Sequence, residues 1–481
     1  MSFARKAAKS GLWFAGFRFI TQLFSWIVTI AIARILVPED YGLMAMASIL
    51  TGYVEIFSEL GLGAAIIQKK EITQEELSSV FWLSMIIGAI LSMVSFGLAH
   101  PTAWIFNEPR IIPITQLISV LFIIGAIMIV PYNILSREVS FKEIGMIQLS
   151  AVVVASLSML IMAKAGYGVW TLINGVIIQR CVTVMLTFLA TKWYPRLHFH
   201  FNEAKPLLKF GINIAGSRSL FYLFQKSDKL IVGKMFNAQS LGYYSFAMQL
   251  ASIPTDKIVS IVNQVSFPVF SRYQDDSARI QEMYLKSTKY ISLLITPLFF
   301  GGFFFGEEII IALLGEKWAP IIFVFKLFCI AQFIVSITAI NSVIHSSQGR
   351  PHWAMGFHLF NAILMPISIF IVTRYGFNAL AVPWITIYPL ICIGWIWVTL
   401  RKLNISVSKY MQVFFTPFIA TSFMIAGIFG AKFILNGTPV ININSKMILI
   451  QNIVVGALLY STFLLLFERR TLIEIWSLRK S

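Results

Sequence analysis

Apolar stretches of membrane-crossing length follow one another along almost the whole chain, parted by short polar connections. At about 20 residues per crossing they predict fourteen transmembrane helices. These are centred on residues 12–33, 42–67, 78–98, 111–133, 146–163, 168–190, 208–234, 242–267, 289–314, 319–344, 354–373, 378–399, 410–433 and 447–467. The start of the chain, basic and then apolar, has the look of a signal peptide. Arg18 interrupts the apolar run and no small-residue cleavage site follows, so this stretch is expected to remain as the first span. Residues 277–290 are predicted to form an amphipathic surface helix ahead of the ninth span.

The pattern repeats. Residues 9–50 align without a gap to residues 209–250, with ten of 42 positions identical: Lys9/Lys209, Gly11/Gly211, Ala15/Ala215, Gly16/Gly216, Arg18/Arg218, Leu23/Leu223, Phe24/Phe224, Gly42/Gly242, Ala47/Ala247 and Leu50/Leu250. A polar stripe recurs with them, Arg18, Gln22, Ser25 and Thr29 in the first copy and Arg218, Tyr222, Gln225 and Lys229 in the second. Spacing of i, i+4, i+7, i+11 holds four side chains on one arc of a helix. An offset of 200 residues spans six helices, so both copies enter the membrane in the same direction. Repeats of this kind are related by an axis along the membrane normal, with the substrate site between the halves. The expected architecture is an all-α integral membrane protein with two pseudo-symmetric six-helix lobes. Residues 1–205 form the N-terminal lobe, 206–400 the C-terminal lobe, and 401–481 hold spans thirteen and fourteen with a cytoplasmic tail.

Composition agrees: 58% of the residues are hydrophobic and 12% charged, about half the charge of a soluble protein. Cys181, Cys329 and Cys392 all lie in apolar runs and read as packing residues, without a disulfide framework. The net charge of +17 is one-sided. The N-terminus, the even-to-odd connections and the C-terminus hold 23 Lys and Arg, and the opposite loops hold eight. The positive-inside rule therefore puts both termini in the cytoplasm. This asymmetry accounts for the basic character with no nucleic-acid partner, and it suits anionic lipid headgroups.

Eleven ionisable residues fall inside predicted spans: Arg18, Glu55, Glu59, Arg180, Arg218, Lys226, Asp228, Lys229, Asp256, Lys257 and Lys326. Each Arg, Lys or Asp facing lipid at a helix centre costs ~2.5–3.5 kcal/mol, so most are expected to face a wet interior. Seven are basic and four acidic, a surplus that attracts an anion. Depth from the cytoplasmic side suggests one Arg–carboxylate pair per lobe, Arg18 with Glu59 and Arg218 with Asp256. Such a pair either staples two helices or opens to accept substrate or a coupling proton. Arg218, Lys226 and Lys229 form a ladder suited to phosphate, with Asp228 as counter-charge. Arg180 and Lys326 are single charges, as compatible with cavity lining as with local pairing. The chain has no phosphate-binding Gly-Lys loop, no HExxH and no Cys/His cluster. Neither an enzyme nor a metal site is expected.

The stretches Ala33-Arg34-Ile35-Leu36-Val37-Pro38-Glu39-Asp40-Tyr41-Gly42 and Phe57-Ser58-Glu59-Leu60-Gly61-Leu62-Gly63-Ala64-Ala65-Ile66-Ile67-Gln68 carry a resemblance. So do Asp228-Lys229-Leu230-Ile231-Val232-Gly233 and Leu241-Gly242-Tyr243-Tyr244. Together they are similar to the polysaccharide-exporter branch of the multidrug/oligosaccharidyl-lipid/polysaccharide superfamily, most of all to its colanic-acid-type flippases. The resemblance implies a twelve-helix core plus two helices, alternating access, and coupling to a proton or sodium gradient without a cofactor. The implied substrate is undecaprenyl pyrophosphate carrying a short oligosaccharide. Implied partners are membrane lipids and a glycan polymerase with its chain-length machinery, the flippase itself working as a monomer. Substrate contact falls to Arg18, Gln22, Ser25, Arg180, Arg218, Tyr222, Gln225, Lys226, Lys229 and Lys326, and coupling or gating to Glu55, Glu59, Asp228 and Asp256. A multidrug exporter or a peptidoglycan-precursor flippase would share the fold. A membrane glycosyltransferase or polymerase would need a large extramembrane loop, which the sequence lacks.

Overall fold

The computed structural model describes residues 3–58, 62–69, 71–200, 222, 226–436 and 445–469, with no strand among them. Helices α1 (Phe3–Ile35), α2 (Pro38–Glu55), α3 (Leu62–Gln68), α4 (Gln74–Gly97), α5 (Ala99–Phe106), α6 (Ile111–Arg137), α7 (Phe141–Lys164) and α8 (Val169–Thr191) come first. A helix over residues 226–235, here α9, follows. Then come α10 (Ala238–Pro254), α11 (Ser260–Arg272), α12 (Ser277–Phe304), α13 (Gly306–Leu314), α14 (Ile322–Ser347), α15 (Pro351–Val372), α16 (Val382–Ile385), α17 (Ile387–Lys402), α18 (Val407–Asn436) and α19 (Ser445–Phe467). Two compact units divide the chain, Met1–Ser245 and Phe246–Ser481.

Ten helices among the described residues are long and apolar enough to cross a membrane, and a bent pair makes eleven. The other three predicted spans are the second, seventh and eighth, and each has its reason. The second is not one helix: α2 stops at Glu55, residues 56–58 turn, and α3 begins at Leu62. Ser58 lies in that turn, and its hydroxyl donates to the Glu55 carbonyl at 2.7 Å, a local bond that competes with the helical ladder. Most of the seventh lies outside the described residues. The eighth is continuous but passes through a π-helical turn, Thr255–Val259, directly after Pro254. That turn holds Asp256 and Lys257.

In the first unit, α1 lies along α7. Val28 and Ile32 of α1, and Leu36 just past its end, meet Ala163 of α7, with Phe24, Met159 and Leu160 around them. The polar positions 18, 22, 25 and 29 sit one residue on from 17, 21, 24 and 28. They are therefore turned about 100° from the packing face. A second core joins α3, α4 and α6 through Leu62, Ile66, Leu77, Val80, Phe81, Leu83 and Val130, closed by Trp193.

In the second unit, α12 is the central strut. The predicted surface helix is not separate, because α12 runs unbroken from Ser277 to Phe304. The Asp276 carboxylate caps it, accepting from the Arg279 N–H at 3.0 Å, and neither glycine nor proline interrupts it before Pro297. At Phe305 the chain bends by 79° into α13, where Gly306 starts a new helix. The last two membrane helices pack back on α12: Ala420, Met424, Ile428, Tyr460 and Leu464 form one core with Leu293 and Phe305. Lys289 holds Glu468 at 2.8 Å, and Lys432 pairs with Glu308. Within lipid there is little hydrophobic drive between helices, so packing and interhelical hydrogen bonds carry association. Tyr284 donates to Asn341 at 2.7 Å.

Candidate functional site

The C-terminal half of α2 lines a cavity of about 300 Å3 inside the first unit, walled by α6 and α8. Ser48, Thr51, Gly52 and Glu55 are its face of α2, Phe122 and Gly125 belong to α6, and Arg180 reaches in from the middle of α8. Helical spacing explains the grouping: positions 44, 48, 51, 52 and 55 share one side of α2. Ser48 and Thr51 donate back to the carbonyls of Met44 and Ala47 at 2.6 and 2.8 Å. Their hydroxyl oxygens keep acceptor capacity for a guest.

Glu55 and Arg180 face each other across this space at 3.9 Å, with side chains 65% and 44% exposed. At that distance the charges attract but do not share a hydrogen bond. Their exposure means that the pair opens onto the cavity.

Tyr222 packs against the same stretch of α2. Its hydroxyl donates to the carbonyls of Ile49 and Ser48 at 3.1 and 3.3 Å, and its ring lies 6.4 Å from that of Tyr53. The contact needs a glycine at position 52, where a β-carbon would collide with the Tyr222 hydroxyl. Lys226 stands over the Tyr222 ring with Nζ 5.8 Å from its centre, within cation–π range. Two residues on, the Asp228 carboxylate is buried. It accepts from the Tyr244 hydroxyl at 3.1 Å, and its other oxygen has no hydrogen-bond partner among the described residues. Lys229, next along α9, is half-buried.

The predicted residues thus separate into groups. Glu55 and Arg180 line the cavity, while Tyr222 packs on the backbone of α2 with Lys226 over its ring, and Asp228 and Lys229 follow a short way along α9. On α1, Arg18 is exposed while Gln22 and Ser25 are half-buried. Asp256 sits in the π turn and accepts from Ser252 at 3.0 Å. Lys326 belongs to α14 of the second unit, its stem against Gly306 at the bend. Glu59, Arg218 and Gln225 lie outside the described residues, and with them both predicted pairs, Arg18–Glu59 and Arg218–Asp256. The carboxylate that the structure gives Arg180 is Glu55.

Tyr244 and Gly52 were not anticipated. Tyr244 could have been found, since it ends the Gly242-Tyr243-Tyr244 motif. Gly52 becomes meaningful only once Tyr222 is placed. At the other end of α2, Pro38 opens the helix at a position where proline fits. Asp40 accepts from the Val37 N–H at 3.1 Å, and Glu39 pairs with Arg110 at 2.6 Å. Among the described residues no group of three His, Cys, Asp or Glu is placed to hold a metal ion.

Residues 31–323 match the family described as "Polysaccharide biosynthesis protein". The lipopolysaccharide biosynthesis protein WzxC of Escherichia coli (strain K12) is 25% identical over 378 residues, 77% of this chain and 76% of that protein. The teichuronic acid biosynthesis protein TuaB of Bacillus subtilis (strain 168) is 25% identical over 422 residues, 85% of each chain. Of solved structures, the lipid II flippase MurJ in an inward closed conformation aligns with a TM-score of 0.71. It covers 95% of this chain and 99% of its own at 14% identity, a likeness of fold.

Proposed function

This chain belongs to the polysaccharide biosynthesis protein family, and from that membership we propose that it is a flippase for lipid-linked oligosaccharide. Its substrate is undecaprenyl pyrophosphate bearing one repeat unit of an exopolysaccharide, capsule or O-antigen. The protein carries it across the bacterial cytoplasmic membrane by alternating access, with both termini in the cytoplasm as the Lys/Arg asymmetry requires.

Arg180 carries the reading. It is a guanidinium in the middle of a membrane helix, opening on a cavity and answered by one carboxylate at 3.9 Å. A charge so costly in lipid is kept for a partner, and a pyrophosphate fits. Its oxygens take the two-pronged hydrogen bonding that guanidinium offers, displacing Glu55. Lys226 and Lys229 add positive charge in the same unit, and we assign Arg18, Arg218 and Lys326 to substrate contact as well. Ser48, Thr51, Tyr222, Gln22, Ser25 and Gln225 supply hydroxyl and amide groups for sugars, while the prenyl chain stays in lipid. Coupling falls to the carboxylates. Asp228 has a buried oxygen without a donor, a place for a proton, and Glu55 is freed when phosphate takes Arg180. Glu59 and Asp256 complete the set, with H+ or Na+ as the driving ion. No step makes or breaks a covalent bond, so the protein is not an enzyme.

Deleting the gene and extracting polyprenyl-linked glycans tests this. One complete repeat unit should accumulate on undecaprenyl pyrophosphate, confined to the cytoplasmic leaflet. A truncated glycan, or none, would overturn the proposal in favour of a glycan-processing enzyme or a drug exporter.

A further inference from the structure

In the second unit, the start of α15 lies beside the end of α17, and between them runs a groove of about 660 Å3. Two glycines form its floor. A β-carbon added at Gly356 or at Gly394 would meet nothing within 4 Å, so the space above both is empty. The walls are apolar and aromatic: Phe357 stacks on Trp395 with centres 5.1 Å apart, while Phe360 and Leu390 are 54% and 66% exposed. Buried Trp395 also has an indole N–H without an acceptor among the described residues.

One end of the groove is strongly cationic. The Arg401 guanidinium lies 4.1 Å from the centre of the Trp397 ring, and Lys402 Nζ lies 5.2 Å from that of Trp353. Arg350 immediately precedes α15, whose N-terminal turn adds its own partial positive charge. Nothing nearby in sequence offsets this, because the chain has no Asp or Glu between Glu316 and Glu468. The Lys/Arg asymmetry predicts that this end is cytoplasmic. From Trp353 to Phe360 the groove runs seven residues, about 10 Å along the helix. Half of a ~30 Å hydrocarbon core is ~15 Å, so the groove stays within one leaflet. Basic pockets between membrane helices on the cytoplasmic side take anionic headgroups.

We propose that this groove is a binding site for an anionic phospholipid of the cytoplasmic leaflet. One acyl chain lies over Gly356 and Gly394, and the phosphate sits among Arg350, Arg401 and Lys402. It is a lipid site separate from the cavity around Arg180, and its ligand is a resident of the membrane, not the transported cargo.

The test uses the full-length protein, purified in detergent and examined by native mass spectrometry and thermal unfolding. The probes are phosphatidylglycerol and phosphatidylcholine with the same acyl chains. Phosphatidylglycerol should stay bound and raise the unfolding midpoint by several degrees, where phosphatidylcholine does neither. Gly394→Phe fills open space, and Arg401→Gln with Lys402→Gln removes exposed charges. Each should cut phosphatidylglycerol retention at least fivefold. Equal retention of the two lipids, or undiminished retention in both variants, would overturn the proposal. So would preferential displacement by undecaprenyl phosphate at equal concentration, since the groove would then seat the cargo's own chain.

Discussion

Gly42 and Gly242, equivalent positions of the internal repeat, lie backbone against backbone. A β-carbon on either would stand 3.0 Å from the other's amide nitrogen. Each would also collide with a carbonyl oxygen four residues back on the opposite helix, Ala238 for Gly42 and Pro38 for Gly242. The contact is reciprocal at an offset of 200, the signature of a two-fold relation. It is the repeat seen directly in space.

Because the obstacle is backbone, it cannot rotate away. Gly42→Ala and Gly242→Ala should each destabilise the protein by roughly 1–3 kcal/mol or more, as overpacking does. The double substitution should cost less than the two added together, since one displacement of the helices serves both. Unfolding midpoints of the three purified variants decide it. Strict additivity would show that the contact is not shared.

Removing the cavity charge should spare the fold and stop transport. A pair at 3.9 Å with both partners well exposed contributes little to stability. Arg180→Gln should leave protein levels near normal yet lower export at least tenfold, measured as surface polymer per cell. Arg180→Lys should recover only part of it, because an ammonium cannot make the forked contact of a guanidinium. Full export in Arg180→Gln would remove this residue from the pathway.

Asp228 and Tyr244 should give different phenotypes. Tyr244→Phe deletes the hydroxyl that donates to a buried carboxylate, a loss of about 1–3 kcal/mol. Asp228→Asn keeps the shape without the charge. In vesicles with an imposed pH gradient, flipping by Asp228→Asn should no longer respond to the gradient. A response equal to that of the unchanged protein would exclude Asp228 as the proton carrier.

The loop between α5 and α6 should confer a small acid sensitivity. Hydrogen bonds from Arg110 hold the Glu108 carboxyl below the ordinary glutamate value of 4.5, against the opposing effect of desolvation. The Arg110 guanidinium is raised in turn by Glu108 and Glu39. A depressed carboxylate stabilises fully above its unfolded value, and the gain fades as pH falls through the folded one. With Arg110 55% exposed, solvent screens the pair to less than about 1 kcal/mol. Glu108→Gln should therefore lower the unfolding midpoint slightly at pH 7, by an amount that shrinks as the pH falls below 4.5.

Hydropathy alone located the ten spans, since length in lipid is a local property of the chain. The motif from Val37 to Gly42 was also visible, and its reasons are now concrete: a proline at the first helical turn, an aspartate cap, an ion pair to Arg110 and a glycine at a backbone crossing. What could not be read was partnership. Glu55 and Arg180 stand 125 positions apart, and only the packing of α2 against α8 brings them together. Depth from one membrane face suggested Glu59 for Arg18 because depth was the single coordinate a sequence offers. The bend at Phe305 and the stop at Glu55 were hidden because each lies inside a stretch long enough to be read as one span, although Glu307 and Glu308 follow the first and Ser58 and Glu59 the second.

The two copies of the repeat leave the α-helix within one residue of the same count. In the first, α2 ends at Glu55 and the chain turns; in the second, the π turn opens at Thr255. One copy breaks the rod with a turn, the other swells it by a wider coil steadied by Thr255 donating to Gln332 at 3.0 Å. Of 42 residues just ahead of these points only ten are shared, yet both copies carry the interruption. The joint is shared more fully than the residues that make it.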